Sequence, residues 1–173
     1  MIEEGNMSNF KEIVTKAVVG KGKKTTIDNH TVELNSNPST ILGCWVINHN
    51  FEGTKEDDSV KVKGSFDTNI WYSKDDNSST DVYKDTVSYE EEIPIRKLDD
   101  FDGQDEIIVR AVKQPTVTKA ELKDGKIEYT VEKTIAAELV GDTKIKIGVE
   151  ELNENEDPTF DEIDEEVNED FLK

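Results

Sequence analysis

The sequence predicts an all-β fold: an antiparallel sandwich or barrel-like domain of about seven to nine strands, followed by an acidic C-terminal tail. Three observations predict it. Apolar residues recur with a period of two along most of the chain, turn compositions punctuate it, and no segment carries a convincing helical stripe. The charge is also unevenly spread. Of a net −19 from 40 acidic and 21 basic residues, residues 150–173 hold 12 acids and one lysine, a net −11. The remaining −8 lies on a body of ordinary composition, so the low apolar content of 34% reflects dilution by the tail rather than the lack of a core. The expected organisation is a flexible N-terminus over 1–9, a self-assembling β domain over 10–149, and a tail over 150–173 that is disordered or folds on binding.

The first element, Phe10 to Val19, is readable two ways. Phe10, Ile13, Val14 and Ala17 would line a helical face, but Val14, Thr15, Val18 and Val19 are β-branched and favour a strand. As an edge strand near a terminus, it would expose unpaired backbone groups and suit exchange between subunits. Gly20-Lys21-Gly22-Lys23-Lys24-Thr25-Thr26 lacks the spacing of a phosphate loop and reads as a basic turn. Ile41 to Ile47 is apolar on both faces, as expected of a central strand covered on both sides, and Ile107 to Val112 is similar. Pro115 should end or bulge the latter strand.

Two hairpins are expected. In the first, Val60, Val62, Phe66, Ile70 and Tyr72 alternate with polar residues, then Tyr83, Val87, Tyr89, Ile93 and Ile95 do so after a turn at 74–79. In the second, Ile127, Tyr129 and Val131 pair with Ile145, Ile147 and Val149, with Asp124-Gly125 and Gly141-Asp142 marking the strand starts.

Chemistry is sparse. His30 and His49 sit in no nucleophile or metal motif, and Cys44 in its apolar run reads as a small buried hydrophobe. The Asp-rich stretches 75–81 and 99–106 resemble calcium loops in composition but lack the full ligand register. No catalytic residue, metal or cofactor is expected. A pI near 4.4 excludes binding nucleic acid through phosphates, and no apolar run supports insertion into a membrane. The first ten residues lack a signal-peptide pattern, and a reducing compartment is expected.

Within the tail, Phe160, Ile163, Val167 and Phe171 would form one apolar stripe on a helix. Repulsion between like charges opposes that helix in the free chain, so a segment folding onto a groove with a basic rim is the sharper reading. Trp71 interrupts the polar face of its strand. An indole there is either a ligand platform or a contact buried against another layer, and the second is the simpler expectation.

The run Ser39-Thr40-Ile41-Leu42-Gly43-Cys44-Trp45-Val46-Ile47-Asn48-His49 resembles the outer spore coat morphogenetic protein CotE family. Supporting it, in the family's order, are Glu12-Ile13-Val14-Thr15-Lys16-Ala17-Val18-Val19-Gly20-Lys21-Gly22, Asn69-Ile70-Trp71-Tyr72-Ser73, Gln114-Pro115 and Ala137-Glu138-Leu139-Val140-Gly141-Asp142-Thr143-Lys144. The resemblance implies a non-enzymatic scaffold that forms a homo-oligomer, docks on an inner coat basement-layer protein and recruits outer coat client proteins. Its place would be the mother-cell cytoplasm at the forespore surface, then the spore coat. Self-assembly would involve Ile13, Val14, Val18, Val19 and Trp71, and partner binding the four apolar tail residues. The competing reading is a monomeric β module binding carbohydrate or calcium through Trp45, Trp71 and the Asp-rich loops. A small hydrolase is disfavoured by the number and placement of the histidines.

Overall fold

The computed structural model describes residues 9–98 and 105–149. It divides into a larger unit, Thr15–Thr143, and a smaller one in which residues 9–14 and 144–149 are described. The strands are β1 (Phe10–Glu33), β2 (Pro38–Glu56), β3 (Ser59–Lys74), β4 (Ser79–Pro94), β5 (Arg96–Lys97), β6 (Glu106–Lys123) and β7 (Lys126–Gly148). They form a four-stranded sheet in the order β5-β1-β7-β6 and a three-stranded sheet in the order β2-β3-β4. The described residues are all-β and antiparallel, as the period of two predicts.

The β3–β4 hairpin runs without a register shift from Ser59↔Pro94 to Lys74↔Ser79. Its turn places Asp75, Asp76 and Asn77 at φ of 52°, 54° and 64°, a region that short polar side chains tolerate. At the β6–β7 turn, Asp124 and Gly125 have φ of 52° and 75°, the requirement of a two-residue hairpin loop.

In the larger unit, the inward side chains of β3 and β7 supply two apolar clusters. One gathers Val19, Val60, Val62, Ile93, Ile135, Ala137 and Leu139. The other gathers Val32, Phe66, Ile70, Tyr72, Ile127, Tyr129 and Val131. Removing an aliphatic side chain of this kind from water contributes about 1.5–3 kcal/mol, so the two clusters supply most of the drive to fold.

Three sequence expectations are corrected. Residues 127–131 and 145–148 are parts of the single strand β7, whose hairpin partner is β6, and Val149 follows it. Gly141 has no positive φ, and burial alternates on through Ile135, Ala137 and Leu139, so nothing turns the chain at Gly141-Asp142. The apolar runs of β2 and β6 are edge strands rather than central ones. Leu42, Trp45 and Ile47 in β2, and Ile108 and Val112 in β6, are accordingly exposed. Pro115 does bulge β6, between Lys113↔Thr134 and Thr116↔Glu132.

Gly20 and Gly22 lie inside β1 rather than in a turn. They are glycines because the chain passes from one sheet to the other here, where β4 continues into β5. A Cβ on Gly22 would fall 2.1 Å from the Pro94 carbonyl oxygen, and one on Gly20 would fall 2.7 Å from Ile95 Cγ2. The first obstacle is backbone and cannot rotate away. Gly22→Ala should therefore lower stability by about 1–3 kcal/mol. Gly148→Ala, whose Cβ meets nothing nearer than 4.0 Å, should leave the urea midpoint almost unchanged. Equal midpoints for the two variants would contradict the close approach.

Candidate functional site

Two kinds of feature stand out: apolar side chains facing outward, and charged groups facing inward. On the three-stranded sheet, register shifts between Ile41 and Gly43 and between Ile47 and Asn50 bend β2. Cys44 and Val46 consequently pack against the inner cluster, while Trp45 and Ile47 point out. Gly43 leaves room for the Trp45 ring, since a Cβ there would meet the ring at 2.5 Å. Trp45 lies beside Trp71 of β3, with centroids 6.3 Å apart and planes 21° from parallel. The two indoles are 44% and 41% exposed. Among the described residues, then, Trp71 is not the buried contact that was the simpler expectation.

In the smaller unit, the start of β1 lies beside the end of β7. Val149 N–H donates to Asn9 O at 2.8 Å, and Lys144 faces Glu12 at 3.9 Å. Phe10, Ile13, Val14, Ile145 and Ile147 are all exposed on this ribbon, and Phe10 and Val14 are about two-thirds exposed. Val18, in the larger unit, is exposed, whereas Val19 is 3% exposed and part of the core. β1 is not an edge in the strand order. β5 flanks it, through Gly20↔Lys97 and Lys21↔Arg96. The tail candidates Phe160, Ile163, Val167 and Phe171 lie outside the described residues, as do the 1–9 expectation for positions 1–8 and most of the Asp-rich 99–106 stretch.

The inward charges form a belt in the larger unit, between the two apolar clusters. Lys133 of β7 is 1% exposed. Its Nζ lies 2.7 Å from Glu91 Oε1, 3.2 Å from Asp28 Oδ2 and 4.3 Å above the Tyr89 ring. Thr26 O–H donates to Glu91 Oε1 at 2.6 Å. Tyr89 fits because its β3 partner is Gly64, where a Cβ would fall 2.4 Å from the tyrosine ring. Gln114 Oε1 accepts from His49 Nδ1–H at 2.8 Å, which leaves His49 Nε2 to accept from Tyr89 O–H at 2.6 Å. The belt therefore joins β1, β7, β4, β2 and β6.

Burial shifts Tyr89 and His49 of the belt and Cys44 of the neighbouring cluster. It pushes the Tyr89 hydroxyl up to about 12, with help from the Glu91 charge, and pushes the Cys44 thiol up to about 11. It also lowers His49, mainly by desolvation, partly opposed by the Gln114 hydrogen bond and reinforced by the nearby Lys133 charge. Sequence reading missed Lys133 and Glu91. The signal was parity: Lys133 falls among the apolar inward residues of β7, and Glu91 lies between Tyr89 and Ile93 on the inward side of β4. Among the described residues, no group of three His, Cys, Asp or Glu side chains could hold a metal, and no helix is long and apolar enough to cross a membrane.

Two antiparallel sheets, with a buried polar belt between their apolar clusters and apolar side chains left exposed, define an all-β protein. The family model described as outer spore coat protein E (CotE) matches residues 9–173. The chain belongs to that family and is a spore coat protein. Neither the curated proteins nor the solved structures give a match.

His49 also supplies a test of the belt. Because its folded value lies below the ordinary 6.5, the unfolded chain binds more protons as pH falls through 6.5. Its contribution to stability is full above that value and declines below it, until the folded value is passed. Urea midpoints of the wild type should fall across this window, and His49→Gln should flatten the fall. An unchanged slope in the variant would remove His49 from the account.

Proposed function

We propose that this chain is a non-enzymatic scaffold whose β body self-assembles and whose acidic tail recruits outer coat proteins. Its expected place is the mother-cell cytoplasm at the forespore surface, docked on an inner coat basement-layer protein, before the mature coat forms. The observation that carries the reading is the outward apolar surface: the ribbon with Phe10, Ile13, Val14, Ile145 and Ile147, and separately the Trp45–Trp71 face. A two-stranded ribbon of this kind gains stability when a further strand or surface covers it. Val18, exposed in the larger unit, is a further candidate, and Trp71 anchors the indole face. Tail binding would use Phe160, Ile163, Val167 and Phe171 as anchors, with the −11 charge selecting a groove with a basic rim.

The division of labour is testable by truncation. Removing 150–173 should leave the assembled mass in light scattering intact while coat clients cease to be retained. A truncated chain that becomes a monomer would refute it. In the full chain, Val18→Lys should lower the assembled mass, and an unchanged mass would remove Val18 from the interface.

The exposed indole pair also favours a second reading, a monomeric carbohydrate-binding module. Saturable quenching of tryptophan emission by sugars, lost in Trp71→Ala, would support that reading. Unchanged emission across the titration would leave the scaffold alone.

A further inference from the structure

Lys133 stands between two carboxylates in unlike settings. The Glu91 side chain is 6% exposed and that of Asp28 is 45% exposed, while Lys133 itself is 1% exposed. A structural ion pair would be complete with Glu91 alone, whose Oε1 takes both the lysine and Thr26. Glu91 Oε2 has no hydrogen-bond partner among the described residues. Asp28 approaches from β1, the strand next to β7 in the same sheet, and the two residues are 105 positions apart in sequence. An amine is thus held 3.2 Å from one carboxylate oxygen, one bond short of the carboxyl carbon, with a second carboxylate touching the same amine from the opposite sheet.

From this geometry we infer that Lys133 and Asp28 condense to an intramolecular amide, with Glu91 as the proton carrier. The Nζ–Cγ bond forms and one Cγ–Oδ bond of Asp28 breaks. Of the three protons on the lysine ammonium, one stays on the amide nitrogen. Two leave with the departing oxygen as water, and Glu91 relays them and ends ionised as it began. No oxidant, metal or co-reactant enters the balance.

The assignment of roles follows from the two environments. Glu91, nearly dry and anchored by Thr26, is placed to pass protons repeatedly. Asp28, open on one side, gives the released water a way out. The apolar clusters on either side of Lys133 and the Tyr89 ring over its Nζ restrict the amine to this position. Holding the amine against the carboxylate replaces a bimolecular encounter by an intramolecular one. The product would tie β1 covalently to β7, the two inner strands of the four-stranded sheet. This inference rests on the belt and is independent of the assembly reading.

Intact-mass spectrometry of the purified full chain tests it. The wild type should weigh one water less than its sequence, and a protease digest should yield a peptide pair joined through Lys133 and Asp28. Lys133→Met and Asp28→Ala should keep the full mass. Glu91→Gln keeps the shape of the side chain but cannot relay protons, so it should slow the mass loss by about 10²-fold or more. Circular dichroism would confirm that each variant is folded. A folded wild type at full sequence mass would overturn the proposal. So would a water loss that survives in Lys133→Met, since ring closure at Asp102-Gly103 or Asp124-Gly125 gives the same mass. A joined pair containing Glu91 in place of Asp28 would overturn the assignment of the bond.

Discussion

The ammonium that Lys133 brings into the folding chain, before any bond to Asp28 forms, organises the interior of the larger unit. Burying a charge costs far more than burying a methyl group, unless partners surround it. Here Glu91 and the face of Tyr89, both on β4, and Asp28 of β1 do so. The arrangement is correspondingly exacting. Slipping β7 by two residues would keep its apolar side chains inward but carry Lys133 away from Glu91, leaving that carboxylate buried without its counter-charge. Two apolar clusters alone would tolerate such a slip far better than a charge pair does. The belt therefore acts chiefly on register, and the clusters on either side supply the burial.

Other features of the sequence make sense as conditions for that belt. Gly64 removes a side chain from the middle of β3 so that the Tyr89 ring can lie there and meet the lysine. The Tyr89 hydroxyl then passes the network to His49 and Gln114, which reach the edge strands β2 and β6. Gly20 and Gly22 let the β4–β5 crossing close over β1. With inner register fixed, the outward faces are fixed too, and Trp45 and Trp71 meet across β2 and β3 on the solvent side. A coat protein built this way can hold its contact surfaces rigid, which lowers the entropic cost of assembly.

Much of this was legible in the residues. Alternation in β3 and β4 gave the hairpin and its turn, and Pro115 marked the bulge of β6. The motif around Cys44-Trp45 led to the family. What escaped reading did so for identifiable reasons. Apolar runs on both faces of β2 and β6 look like buried strands, because a sequence does not distinguish an apolar face covered by a neighbour from one left open. Gly141-Asp142 has turn composition, but in a long strand that continues to alternate, composition alone does not bend the chain. Gly20 and Gly22 read as part of a basic turn, when they are crowded positions inside β1. Lys133 and Glu91 were passed over because a charge on an inward parity looks like an interruption of the pattern rather than half of a pair.

The proposal that unites the outward faces and the family is that this body acts by associating with itself. Sedimentation of the purified full-length chain over a range of concentrations tests it most directly. The account predicts species well above the 19.5 kDa of one chain, persisting on dilution. A single 19.5 kDa species at every concentration would contradict it.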